Sequence, residues 1–242
     1  MNEKVMIVMP AYNAALTLKN VFDEIPGDLI YQILLVDDGS TDETVKISKE
    51  LGIRTVVHEK NLGYGGNQKT CYTQALESEA DLIIMLHPDG QYDPHDISKF
   101  IELHRESKAD VILGSRFKSS GHKQTPLYKS MSIRVITFLF NLILGTNITE
   151  ANTGYRAYSR RFLESIPWKK NGNGYLFDPQ CIIQAEYFGF EIADVPITKH
   201  YHEAASSPTF LVSLHHGIEN LVLLVLYLLH KNKIKKTNFL IS

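Results

Sequence analysis

Residues 84–94 read Ile-Met-Leu-His-Pro-Asp-Gly-Gln-Tyr-Asp-Pro and carry side chains that could hold a cation. An apolar run over 82–86 stops at His87, Asp89 and Gln91, which are spaced two apart. On extended chain that spacing puts their side chains on one side. Oxygen and nitrogen donors converging at a strand tip suit a divalent cation that must also hold a phosphate. The same residues also read as a polar turn, with Pro88 and Gly90 punctuating the strand exit.

Further polar groups follow other apolar runs: Pro10-Ala11-Tyr12-Asn13, Asp37-Asp38-Gly39-Ser40-Thr41-Asp42, Asn61-Leu62-Gly63-Tyr64-Gly65-Gly66 and Gly114-Ser115-Arg116-Phe117. Asp42 is placed to cap the helix after it. Asp37 and Asp38 are not needed for that cap, and a carboxylate accepts from a ribose hydroxyl or a base imino N–H. Gly63, Gly65 and Gly66 either bring backbone N–H groups to a ligand at a helix start or form a simple loop. They match neither a Walker loop nor a Gly-x-Gly-x-x-Gly after a first strand. Arg116 offers guanidinium donors that fit a diphosphate, with a surface salt bridge as the alternative. Together these groups describe a site for a nucleotide diphosphate.

The elements that must position them alternate. Short apolar runs at 5–9, 33–36, 55–57, 82–86 and 111–113 read as strands buried on both faces. Helix-like stretches at 15–25, 43–51, 66–78 and 95–107 lie between them. Such alternation predicts an α/β fold, a mostly parallel sheet flanked by helices. Right-handed crossovers then bring every strand's C-terminal end to one edge, where open α/β sheets bind ligands.

A chain of 242 residues with 44% hydrophobic and 21% charged content is ordinary for a globular protein and large enough for a core without disulfides. Cys71 and Cys181 fall in helix-like stretches without metal-ligand spacing, and buried free thiols in a reducing cytoplasm are expected. A net charge of −2 gives no reason to expect a nucleic-acid partner. Met-Asn-Glu-Lys leads straight into a strand, so no signal peptide is expected.

These motifs, from Val5 to about Ser207, resemble family 2 glycosyltransferases of the GT-A fold, in the branch of dolichol- and polyprenol-phosphate sugar transferases. Pro10, Tyr12, Asn13, Asp37 and Asp38 fall in stretches similar to the family's nucleotide-binding signatures. His87-Pro88-Asp89-Gly90-Gln91 aligns with its Asp-x-Asp-x-Gln metal motif. Gly114-Ser115-Arg116-Phe117 and Thr153-Gly154-Tyr155-Arg156 resemble later motifs lining the diphosphate and acceptor side. Phe177-Asp178 and Val195-Pro196-Ile197 also have counterparts, and 202–207 (His-Glu-Ala-Ala-Ser-Ser) resembles a variant end.

The resemblance implies a Rossmann-like GT-A domain over 1–207, then a C-terminal amphipathic helix and basic tail over 208–242. It implies an inverting glycosyltransferase that uses a nucleotide-diphosphate sugar and Mg²⁺ or Mn²⁺. Gly63, Asp89 and Arg156 join the expected nucleotide-binding residues. His87, Asp89 and Gln91 are the expected metal ligands, with Asp89 in the main role. His87 replaces the family's first Asp, which removes one negative charge and would suit Mn²⁺ or a nucleotide contact.

Transfer requires stabilising a departing diphosphate, a task for the cation and Arg116. A sugar hydroxyl acceptor needs a base, for which Asp178 and Glu150 are the carboxylates near family motifs. Asp178 could instead cap the following helix, and Glu150 could be a loop carboxylate. A polyprenyl phosphate is already an anion and needs no base. Sugar-phosphate nucleotidyltransfer would require a Gly-rich, Arg-containing loop after strand one, where Pro10-Ala11-Tyr12-Asn13 stands. A degenerate nucleotide-sugar-binding protein is the non-catalytic alternative.

Apolar stretches at 133–144 and 221–229 fall short of the roughly 20 residues needed to span a bilayer. The second is followed by Lys231, Lys233, Lys235 and Lys236; the stretches fit either a membrane surface or core or dimer packing, and the lysines could equally be a solvated tail. A cytoplasmic enzyme in peripheral contact with the inner face of the membrane is the corresponding expectation.

Overall fold

Each of the five apolar runs forms a strand in the computed structural model, which describes residues 3–118, 125–200 and 210–241. They are β1 (Val5–Ala11), β2 (Ile33–Asp37), β3 (Arg54–Val57), β4 (Leu82–Met85) and β5 (Val111–Ser115). Between them run α1 (Leu18–Asp23), α2 (Thr44–Glu50), α3 (Tyr64–Glu77) and α4 (Ile97–Ser107). α1 starts later than the sequence suggests. The amides of Ala14 and Ala15 are drawn to Thr44 Oγ1 and Asp42 Oδ2 of the neighbouring loop. The stretch 202–207 lies outside the described residues.

The second half continues with α5 (Leu127–Leu144), β6 (Arg156–Ser159), α6 (Arg160–Ser165), α7 (Phe177–Tyr187), β7 (Ile192–Pro196) and α8 (Phe210–Lys231). Among the described residues the sheet has seven strands in the order β3-β2-β1-β4-β6-β5-β7. All neighbours are parallel except β6, which runs antiparallel to β4 and β5. That reversal matters for function. Arg156 opens β6 opposite Met85, near the end of β4. The Thr153–Arg156 stretch therefore reaches the same edge as His87. Strand order also turns between β1 and β4, and such switch points leave a crevice at the strand ends.

Alternation along β1 feeds two cores. Val5, Ile7 and Met9 pack with Leu18, Val21, Ile97 and Phe100 on one face. Val8 packs on the other with Tyr72, Phe140, Tyr158, Trp168 and Phe177. Cys71 and Cys181 are buried and free there.

α5 and α8 lie against each other outside that second layer. α5 is 18 residues long, and by length and composition it could cross a bilayer. The helix thus extends well beyond the apolar stretch 133–144. Its inner side is buried through Ile136, Thr137, Phe140 and Leu144. The chain after α8 is not all solvated tail. Thr237, Phe239 and Leu240 are buried, and Phe239 O accepts from Gln184 Nε2 at 2.6 Å.

Candidate active site

The β1 and β2 ends are tied into one wall. Asn13, in the left-handed region at φ 51°, takes Thr41 N–H on its side-chain oxygen at 2.9 Å and donates its own N–H to Ser40 Oγ at 2.8 Å. Pro10 pairs with Val36 inside the sheet, and Tyr12 stands exposed beside it. Asp42 stands one residue before the N-cap position, Glu43; it accepts Thr44 N–H at 3.0 Å, and Ala15 N–H with its other oxygen.

Asp37 and Asp38 have separate tasks. Asp37 is fully buried, and its Oδ2 accepts the N–H groups of Gly39 at 3.1 Å and Ser40 at 2.9 Å. Its Oδ1 is buried without a hydrogen-bond partner among the described residues. Leaving such an atom unsatisfied costs about 1–3 kcal/mol, which a ligand N–H or O–H would recover. Asp38 has no such vacancy. It accepts from His58 Nδ1 (2.7 Å), Leu62 N–H (2.8 Å) and Gly63 N–H (3.0 Å), so it organises the next loop.

The glycines differ from the expected phosphate cradle. Gly63, at φ 85°, precedes α3 with its N–H bound to Asp38 and Asn61. Gly65 N–H donates to Asn173 O at 2.7 Å, and a Cβ there would lie 2.5 Å from Gly172 O. The loop is glycine-rich because another loop of the protein packs onto it. Its amides are already engaged, so Gly63 shapes the wall rather than offering its N–H to a nucleotide.

After β4, Asp89 accepts from Gln91 twice, through the backbone N–H and through Nε2, both at 3.0 Å. The Gln91 side-chain amide thus braces Asp89, as outer partners of metal-binding carboxylates do. His87 is half-buried and fits because residue 154 is glycine. A Cβ at Gly154 would lie 2.8 Å from His87 Nε2. Burial pushes the imidazole below its usual range, against the pull of the Asp89 and Asp178 carboxylates. It is therefore neutral near pH 7 and has a lone pair for a metal. One imidazole and one carboxylate, with diphosphate oxygens as further ligands, fit Mn²⁺ or Mg²⁺.

A different trio, Glu24, Asp93 and His95, brings its ligand atoms within 4.8 Å of one another. Glu24 and His95 are exposed, and Asp93 already accepts His95 N–H at 2.9 Å.

Asp178 stands in the first turn of α7 and makes no capping bond. Its Oδ2 accepts Tyr64 O–H at 2.7 Å and faces Arg156 Nη2 at 3.0 Å. Its Oδ1 is buried and unpartnered among the described residues. Arg156 is 1% exposed and also donates to Tyr158 Oη at 3.1 Å, so it lies beneath Asp178 as its counter-ion.

Arg116 and Glu150 are bound to each other. Glu150 is fully buried, with Arg116 Nε 2.8 Å from Oε1 and Arg116 N–H 2.9 Å from Oε2. Both its oxygens are engaged, so Glu150 is enclosed away from any acceptor and orients Arg116. Arg116 is itself 4% exposed and also donates to Asn152 O. The pair underpins the edge, and neither side chain lies open in the crevice.

Tyrosines account for what the sequence reading missed. Tyr92 Oη accepts Gly154 N–H at 2.9 Å, and Lys199 Nζ sits 4.8 Å over the Tyr92 ring. Tyr64 touches both His87 and Asp178, and Tyr175 joins Tyr64 to His216 of α8. No spacing rule marks these residues. Position beside a polar motif was the available signal for Tyr64 and Tyr92.

Residues 6–166 match the family described as Glycosyl transferase family 2. The UDP-N-acetylglucosamine--dolichyl-phosphate N-acetylglucosaminyltransferase of Methanococcus voltae is 30% identical over 217 residues, covering 82% of this chain and 86% of that protein. Glycosyltransferase AglD of Haloferax volcanii is 25% identical over 80% of this chain, though over 32% of its own length. Among solved structures, glucosyl-3-phosphoglycerate synthase from Mycobacterium tuberculosis in complex with UDP superposes with a TM-score of 0.71. It is 18% identical, over 98% of this chain and 82% of that one, a likeness of fold. The fold is thus of the GT-A type, and the chain belongs to glycosyl transferase family 2, a glycosyltransferase.

Proposed function

We propose that the protein transfers a sugar from a UDP-sugar to a polyprenyl phosphate at a membrane surface, with inversion at the anomeric carbon. The observation that carries this reading is the pair of buried carboxylate oxygens without a partner among the described residues, Asp37 Oδ1 and Asp178 Oδ1, on the sheet edge that also carries Asp89. Asp37 Oδ1 takes a donor hydrogen bond from the nucleoside. Asp89 and His87 hold the divalent cation, which neutralises charge developing on the departing diphosphate. UDP as carrier and a lipid phosphate as acceptor rest on the archaeal relative, whose name specifies both.

A phosphate acceptor is already anionic, so Asp178 is not required as a base. Its Oδ1 then accepts from a hydroxyl of the transferred sugar and holds the anomeric carbon toward the acceptor. The same Asp178 oxygen also serves a second reading, a hydroxyl acceptor deprotonated by Asp178.

The lipid side is provided by α5 and α8. Leu127, Met131, Val135, Phe138 and Leu142 recur at three- and four-residue intervals along α5 and are exposed. Leu214, Ile218, Val222 and Val225 do the same along α8. Lys231, Lys233, Lys235 and Lys236 follow in exposed positions. Two packed helices with outward apolar stripes and a basic end suit a helix pair lying in the interface of an anionic bilayer.

The test is radiolabelled transfer from UDP-sugars to polyprenyl phosphate, with the product extracted into organic solvent. Asp178→Asn separates the two readings. With a phosphate acceptor, much of the activity survives; with a hydroxyl acceptor, it falls by roughly 10²–10⁴-fold. No labelled lipid from any UDP-sugar rejects the lipid-phosphate reading.

A further inference from the structure

Tyr64 stands between the two halves of the site. Its hydroxyl oxygen is 2.7 Å from Asp178 Oδ2 and 3.5 Å from His87 Nε2. Its ring is stacked on the imidazole, with centroids 5.6 Å apart and planes 5° apart. A phenol has one proton to donate. The shorter contact leads to a carboxylate oxygen that also faces Arg156, so the Tyr64 proton lies on that bond. Toward His87 the Tyr64 oxygen can then act only as an acceptor, and the 3.5 Å contact favours an imidazole proton on Nε2. A neutral imidazole protonated at Nε2 carries its lone pair on Nδ1. Nδ1 has no hydrogen bond to any described residue. Gly154 keeps the Nε2 edge of the ring against the backbone, where a Cβ would lie 2.8 Å away.

We propose that Tyr64 fixes the His87 tautomer so that Nδ1 is a protein ligand of the divalent cation, and that this biases the site toward Mn²⁺ and Co²⁺ over Mg²⁺. The inference rests on the donor-site reading above. A ligating histidine ordinarily donates its second ring N–H to a fixed partner, and that outer partner tunes the metal. Here the partner is Tyr64, and Asp178 in turn orients Tyr64. Replacing a carboxylate oxygen by imidazole removes a hard anionic ligand, the kind Mg²⁺ favours, and adds one that later divalent ions accept more readily.

The test is Mn²⁺ binding to the full chain with UDP, read from the free-ion EPR signal and from spin-echo coupling to ligand ¹⁴N. The wild type should show ¹⁴N coupling, and Mg²⁺ should displace Mn²⁺ only at large excess. His87→Asp should lose the coupling and bring the two affinities together. Tyr64→Phe should weaken Mn²⁺ binding by about 10- to 100-fold. Its metal-free UDP affinity, measured alongside, should stay near wild type, and circular dichroism should show it folded at the assay temperature. Bound Mn²⁺ without ¹⁴N coupling, or wild-type Mn²⁺ affinity in Tyr64→Phe, overturns the inference and leaves the donor site standing. No Mn²⁺ retained with or without UDP overturns the donor-site reading and the inference together.

Discussion

Tyr64 at the start of α3 donates its hydroxyl to Asp178 at the start of α7, 2.7 Å away in space and 114 positions away in sequence. The bond joins the loop that Asp38 organises to the first turn of α7. Burial and the neighbouring Asp178 carboxylate push the Tyr64 phenol well above its usual range, so it remains a donor at any working pH. A hydrogen bond to a carboxylate contributes about 1.5–3 kcal/mol. A double-mutant cycle with Tyr64→Phe and Asp178→Asn, read by urea unfolding, should return a coupling energy of that order. Additive effects would mean the two groups do not interact in solution.

Asp37 and Asp38 are adjacent, yet their substitutions should fail differently. Asp37→Asn alters the oxygen of the pair that has no partner among the described residues and should weaken UDP binding by at least about tenfold, the equivalent of 1.4 kcal/mol. Asp38→Asn disturbs bonds to His58, Leu62 and Gly63 and should lower the melting temperature first. Calorimetric titration with UDP beside thermal melts separates the two. A shared pattern of loss would show that Asp37 also has a structural task.

The strand-helix alternation was legible because central strands buried on both faces read as unbroken apolar runs. β6 was not. Its four residues, Arg-Ala-Tyr-Ser, are polar at both ends, and Arg156 and Ser159 are buried only because Asp178 and Asp110 receive them. The carboxylates at the sheet edge could be named from the sequence, but their partners could not. Arg116 meets Glu150 34 positions away, and Gly65 meets Asn173 across more than a hundred. Sequence spacing carries no record of such contacts, so a clamp and a base turned out to be each other's counter-ion.

That buried ion pair sets a stability prediction. Removing one partner of a buried pair typically costs about 3–5 kcal/mol, because the other charge is left uncompensated. Arg116→Met and Glu150→Leu should each be strongly destabilising, and the double variant should be less so than their sum. Denaturant midpoints measure all three. A mild Glu150→Leu with full stability would argue that Arg116 finds its main partner elsewhere.

Both thiols should be silent in the native protein. Burial pushes Cys181 up to about 12 and Cys71 higher still, so neither is a thiolate at pH 8. An aromatic disulfide reagent at pH 8 should titrate no thiol in the folded protein and both after denaturation. Fast labelling under native conditions would mean that α3 or α7 opens readily.

The α5–α8 face makes the membrane reading testable apart from chemistry. Phe138 and Val225 are 62% and 54% exposed on the two stripes, so Asp at both positions alters the outer face without entering the core. Wild-type protein should float with vesicles containing phosphatidylserine, and the double variant should remain at the bottom of the gradient. Lysines near an anionic surface contribute about 1 kcal/mol each, screened within the Debye length. Raising salt from about 0.1 M to 1 M shrinks that length from about 10 Å to 3 Å and should weaken the wild type's attachment without abolishing it. Binding that vanishes in salt and ignores the Phe138 and Val225 changes would assign attachment to the lysines alone. Transfer to a short, detergent-dispersed polyprenyl phosphate should proceed equally in both proteins, because under the proposed function the stripes only bring the acceptor to the site. A matching loss of transfer in the double variant would place the lipid-facing helices inside the catalytic unit.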